Sequence, residues 1–99
     1  MVKRKLVWDK QAKLELKEVF EYLKQRSLPS ARKVRKSILV TARELPKHPE
    51  IYGLDRFKKD DNSEHRAFEK YSYRITYRVR EKEIRILRVR HTSREPLEY

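Results

Sequence analysis

Residues 71–91 read YSYRITYRVREKEIRILRVRH. In the first half Tyr73, Ile75, Tyr77 and Val79 fall on one side of a period-2 pattern, and Arg74, Thr76, Arg78 and Arg80 on the other. Successive side chains of a strand point to opposite faces, so this half is a strand with one apolar and one basic face. In the second half Ile84 and Ile86 share one parity while Leu87 and Val89 share the other. A central strand partly covered on both faces gives that pattern, and so does a bulge; periodicity alone does not separate them. Residues 81–83 form a tight connection, which makes the two strands antiparallel neighbours.

Upstream, HRAFEK (65–70) is a third strand, joined to the first of this pair across residues 70–73. Residues 2–8, VKRKLVW, alternate with Val2, Leu6 and Trp8 on one face, a short strand with Trp8 as a core anchor. Asp9 is a helix N-cap, and Ala12, Leu16, Val19, Phe20 and Leu23 then recur at helical spacing, ending near Arg26. Ser27 or Ser30 caps a second helix with Pro29 in its first turn. Ala31, Val34, Ile38, Ala42 and Leu45 form its apolar stripe, with Arg32, Lys33, Arg35 and Lys36 as its solvated face. The connector is so short that the helices form an antiparallel hairpin. Pro46 and Pro49 stop the second helix, and a polar loop runs from Lys47 to Glu64, pinned by Leu54 and Phe57. The expected architecture is one α+β domain over residues 1–99. Its order is β-α-α-β-β-β, with the helical hairpin on one face of an antiparallel three-stranded meander.

The chain has 99 residues, 42% of them charged and 37% hydrophobic, with a net charge of +12. Such a surplus favours a polyanionic partner through steering and counterion release. Without cysteine there are no disulfides or thiolate metal sites. No apolar run is long enough for a signal peptide or a membrane span, so the expected location is the cytoplasm. No phosphate-binding glycine loop, nucleophile elbow or dinucleotide fingerprint appears, and no cofactor is expected.

Residues 66–94 hold eight arginines and two lysines against three glutamates. Arginine forks bind phosphate oxygens bidentately, and alternate arginines on a strand stand about 7 Å apart, near the phosphate spacing of a nucleic acid. The sheet face away from the helices inherits them. His91 ends the last strand near Arg90 and Arg94, and near Tyr99 if the tail folds back. RNA cleavage by the neighbouring 2′-hydroxyl needs a proton acceptor, a proton donor and cations, which histidine, tyrosine or glutamate, and arginine or lysine supply. His48 and His65 read as non-catalytic, and three dispersed histidines make a poor metal site.

Trp8 with AKLELKEVFEYL (12–23), SARKVRKSI (30–38), LPKHPEIYGLD (45–55), RAFEKYSYRITYRV (66–79) and IRILRVRHTSREP (84–96) together resemble the RelE/ParE superfamily, toxins of bacterial type II toxin–antitoxin modules. The resemblance covers essentially the whole chain. It implies two activities: RelE-like members cut mRNA in the ribosomal A site, whereas ParE-like members poison DNA gyrase and lack the nuclease residues. The residues at comparable places are Lys58 or Lys59, Arg66, Glu69, Arg74, His91, Arg94 and Tyr99. The leading expectation is a ribosome-dependent mRNA endonuclease. Arg66, Arg94 and Lys58 would hold the scissile phosphate, His91 would transfer a proton, and Glu69 or Tyr99 would supply the second proton step. Lys59, Arg74, Arg78, Arg88 and Arg90 would bind RNA. The alternatives are a gyrase inhibitor and an inactive antitoxin-binding member. The resemblance also implies a cognate antitoxin, with an acidic segment touching this chain. One departure from the nuclease pattern is that Thr92, not an aromatic residue, follows His91.

Overall fold

Asp9 closes the first strand and opens the first helix. Its extended backbone leaves β1 (Lys5–Trp8), and its carboxylate accepts the Gln11 N–H at 3.4 Å at the start of α1 (Lys10–Lys24). The computed structural model describes residues 4–49, 51–52 and 64–94, without the side chains of Glu64 and Arg94. Lys58, Lys59, Tyr99 and the Arg94 side chain therefore lie outside the described residues, as do Leu54 and Phe57.

Ser27, not Ser30, caps the second helix, α2 (Leu28–Glu44); its hydroxyl accepts the Ser30 N–H at 3.3 Å. To reach that extended residue the chain tightens, with Arg26 and Ser27 both donating to the Leu23 carbonyl, so α1 stops two residues before Arg26. Ala12 on α1 and Ala31 and Ala42 on α2 are fully buried. These small residues let the helices approach the sheet and each other closely. Val34 and Ile38 fill the layer beneath, with Leu16, Val19 and Leu23 of α1 packed against them.

The remaining strands are β2 (Glu64–Lys70), β3 (Tyr73–Val79) and β4 (Glu83–His91), followed by a 3-10 turn at Thr92–Arg94. The sheet order is β1-β4-β3-β2. β2, β3 and β4 form the expected antiparallel meander, and β1 adds to it in parallel beside β4, so the whole sheet is mixed. β4 is thus both central and bulged. Tyr77 opposes Ile86 and Thr76 opposes Arg88, which leaves Leu87 as the inserted residue. The insertion puts Ile84 and Ile86 on the same face as Val89 and His91, which explains the parity switch.

The helix-facing surface consists of transverse rows across β2, β3 and β4. Lys70–Tyr73–His91 lies at one end, then Phe68–Ile75–Val89, then Arg66–Tyr77–Ile86. Phe68, Ile75, Val89, Tyr77 and Ile86 are all buried. Tyr77 carries a hydroxyl into this core, where it donates to the Pro49 carbonyl at 3.0 Å. Among the described residues, no helix is long and apolar enough to cross a membrane.

The β2–β3 hairpin turns on two residues, Tyr71 and Ser72, with φ of 51° and 69°. Positive φ at both central positions matches the strand twist, and asparagine–glycine is the pair that adopts it without strain. A non-glycine residue there costs about 1–2 kcal/mol. Ser72→Gly is therefore expected to raise stability by about 1 kcal/mol, a thermal midpoint roughly 4–8 °C higher. A lowered midpoint would refute the strain assigned to Ser72.

Candidate functional site

The second sheet face carries the rows Glu69–Arg74–Arg90, Ala67–Thr76–Arg88 and His65–Arg78–Arg85. Its arginines are largely engaged by carboxylates. Arg74, only 6% exposed, donates to Glu69 at 2.8 Å. Arg78 lies 3.8 Å from Glu83, and its buried Nε has no hydrogen-bond partner among the described residues. Arg85 bonds Glu83 at 3.0 Å and reaches Asp9 at 3.4 Å. Hydrogen bonding and charge attraction from Glu83, with a further pull from Asp9, raise its guanidinium above the ordinary value. Thr76 at 1% and His65 at 6% are buried in the same surface. The face is thus a knit layer of ion pairs in which most of the cations have local anions.

Arg88 is drawn toward α1. β1 pairs with β4 only as far as Ile86, so among the described residues no strand lies beside the edge of β4 beyond that point on that side. Glu15 of α1 fills the gap. Its carboxylate accepts the Val89 N–H at 2.8 Å and the Arg88 guanidinium at 2.9–3.2 Å. One side chain therefore satisfies both a backbone donor and a half-buried charge.

His91 lines a cavity of about 470 Å³ between α1 and the end of β4. Glu15, Glu18 and Tyr22 of α1 line one side, and Tyr73, His91 and Ser93 the other. The imidazole meets the Tyr73 ring edge-on at 5.1 Å. Its Nδ1 accepts the Ser93 N–H at 3.0 Å and lies 2.7 Å from the Ser93 hydroxyl. An Nδ1 that accepts from the backbone leaves the proton of the neutral ring on Nε2. Histidine beside tyrosine and glutamate in a partly enclosed space can transfer protons.

Of the expected catalytic residues whose side chains are described, Arg66 and Glu69 do not stand beside His91. Arg66 shares the helix-facing side with His91 but lies two rows away, about 13 Å along the strands and about 10 Å across them. The buried row Phe68–Ile75–Val89 lies between the two. Arg66 instead donates to the Tyr52 carbonyl, and the Tyr52 ring packs on Phe68 at 5.2 Å, so Arg66 anchors the entry to the long loop. Glu69 stands on the other face, bonded to Arg74. Among the described residues, no group of three His, Cys, Asp or Glu side chains gathers to hold a metal. The sequence reading missed Glu15, Glu18 and Tyr22, whose i, i+3, i+7 spacing already marks one polar stripe along α1.

Comparison with known proteins places this geometry. A family model described as the ParE toxin of the type II toxin–antitoxin system parDE matches residues 6–96. No curated protein matches. Among solved structures, the chromosomal ParDE toxin–antitoxin system from P. aeruginosa aligns with a TM-score of 0.71 at 22% identity, covering 90% of this chain and 96% of that one. The YoeB dimer from Staphylococcus aureus aligns with a TM-score of 0.55 at 17% identity, covering 91% of this chain and 98% of that one. Both likenesses are of the overall fold. The family match runs from within β1 to beyond the 3-10 turn, and on that ground the chain belongs to the ParE toxins of type II toxin–antitoxin systems.

Proposed function

We propose that this toxin acts by binding, not by cutting, and that it poisons DNA gyrase, the activity the resemblance assigns to ParE-like members. The observation that carries this reading is the buried row Phe68–Ile75–Val89 separating Arg66 from His91. A centre that cleaves a phosphodiester needs its proton-transfer groups within about 3 Å of the reacting atoms and its cations beside them. Arg66 is held by a backbone carbonyl, Glu69 by Arg74 on the opposite face, and His91 by Ser93. The match to the ParE family over residues 6–96 supports the same reading. Family membership also implies a cognate antitoxin. Its contact segment is acidic in this reading, because a partner of opposite sign is steered to a chain of net charge +12. Both partners would be met in the cytoplasm.

A second reading rests on the cavity at His91, where Glu18, Tyr22 and Tyr73 stand beside the imidazole. There His91 would transfer a proton during cleavage of mRNA on the ribosome, with a tyrosine or glutamate as its counterpart. The two readings part in a paired assay. Purified toxin is expected to trap gyrase in its DNA-cleaved state while primer extension in a translating extract shows intact transcripts. Transcript cleavage that His91→Ala abolishes, with gyrase unaffected, would replace the first reading by the second.

A further inference from the structure

Whereas the arginines of the sheet are mostly paired with carboxylates, those on the outer side of α2 are not. The helix carries Arg32, Lys33, Arg35, Lys36 and Arg43, against Glu44 alone. Lys33 lies over the Tyr71 ring at 5.9 Å and Arg35 over the Phe20 ring at 4.5 Å, so these two lean toward the hairpin turn and toward α1. Between them Arg32, Lys36 and Arg43 are exposed, and no hydrogen bond or ion pair engages them among the described residues. At about 100° per residue, positions 32, 36 and 43 fall within about 40° of one another. The buried stripe of Ala31, Val34, Ile38 and Ala42 is centred about 135° further around the helix. The three cations rise by about 6 Å and then about 10 Å along the axis, so they form a straight rail roughly 16 Å long.

We infer that this rail is a binding surface for the phosphate backbone of a nucleic acid duplex. Its length matches about five base pairs of one strand, at about 3.4 Å of axial rise per phosphate. Leu39, at the same azimuth between Lys36 and Arg43, is half-buried beside Leu16 and Phe20 of α1, so the exposed side chains of the rail are three cations without an aromatic anchor, which suits sequence-independent contact with phosphates. A stable protein interface instead centres on buried aromatic or apolar residues. The assignment moves the nucleic-acid contact from the sheet to the helical hairpin. It stands whether the toxin inhibits gyrase or cuts mRNA, because it concerns a different surface from the cavity at His91.

The test is fluorescence anisotropy of a labelled 20-base-pair DNA duplex titrated with the full chain across salt concentrations. Arg32→Gln, Lys36→Gln and Arg43→Gln combined are expected to weaken binding about tenfold or more at low salt. The slope of log affinity against log salt should fall by roughly 2–3, at about 0.9 for each phosphate no longer neutralised. A comparison variant of the sheet, Arg74→Gln with Arg78→Gln, is expected to leave the slope unchanged. Thermal melts check that each variant is folded. Unchanged affinity and slope in the α2 variant would overturn the assignment, as would loss of the slope in the sheet variant instead. Binding of polyglutamate through the rail, with no binding of the duplex, would also overturn it and assign the surface to an acidic protein.

Discussion

Ile75→Ala is expected to destabilise the protein by about 3–4 kcal/mol, the range for truncating a fully buried aliphatic side chain that cannot be replaced by collapse. Ile75 is fully buried at the middle of the central row, between Phe68 and Val89, in a sheet held from both sides by neighbouring strands. Neither neighbour can move inward without breaking its own ladder, so the cavity remains. Small domains carry about 5–15 kcal/mol of stability in all, so this one change removes a large part of it. Urea unfolding should show a lower midpoint at nearly constant slope. A loss below about 1 kcal/mol would mean that the helices settle onto the vacated space.

The second large effect is expected at Glu15→Ala, a loss of about 3 kcal/mol. The substitution strips the Val89 N–H of its acceptor and removes the Glu15 carboxylate from the Arg88 guanidinium. The Glu15 side chain is 13% exposed and that of Arg88 29%, so water replaces these bonds incompletely. Glu15→Gln keeps an acceptor for Val89 and should recover part of the loss, whereas Glu18→Ala should stay within about 0.5 kcal/mol. Equal losses in Glu15→Ala and Glu18→Ala would show that the carboxylate does not close the edge of β4.

What the sequence revealed follows from where each signal resides. The caps at Asp9 and Ser27, the alanine and valine stripe of α2 and the division of β3 side chains between two faces are local, and each reappears in the fold, although β3 is buried on both faces from Tyr73 to Tyr77. The parallel seat of β1 beside β4 is not local, since nothing near Leu6 marks Ile84 as its partner 78 residues away. The same holds for the arginines. Parity placed Arg74 and Arg78 on a basic face, but their neutralisation depends on Glu69 and Glu83, which only the strand register brings near. Arg88 depends on a carboxylate 73 residues away. His91 was legible as a strand-end histidine. The wall opposite it was legible only as a polar stripe on α1; that Glu18 and Tyr22 face His91 follows from how α1 lies along β4.

The seat of β1 also sets an order of assembly. β2, β3 and β4 are joined by short turns and pair with near neighbours, whereas every bond between β1 and β4 closes a loop of more than 70 residues. Loop closure makes distant pairing slow, so the meander is expected to condense before β1 docks onto it. During synthesis β1 leaves the ribosome first, yet its partner is among the last segments made. The toxin therefore reaches its finished sheet only once β4 has emerged, and a nascent chain stopped before Glu83 lacks the strand on which both β1 and Glu15 close.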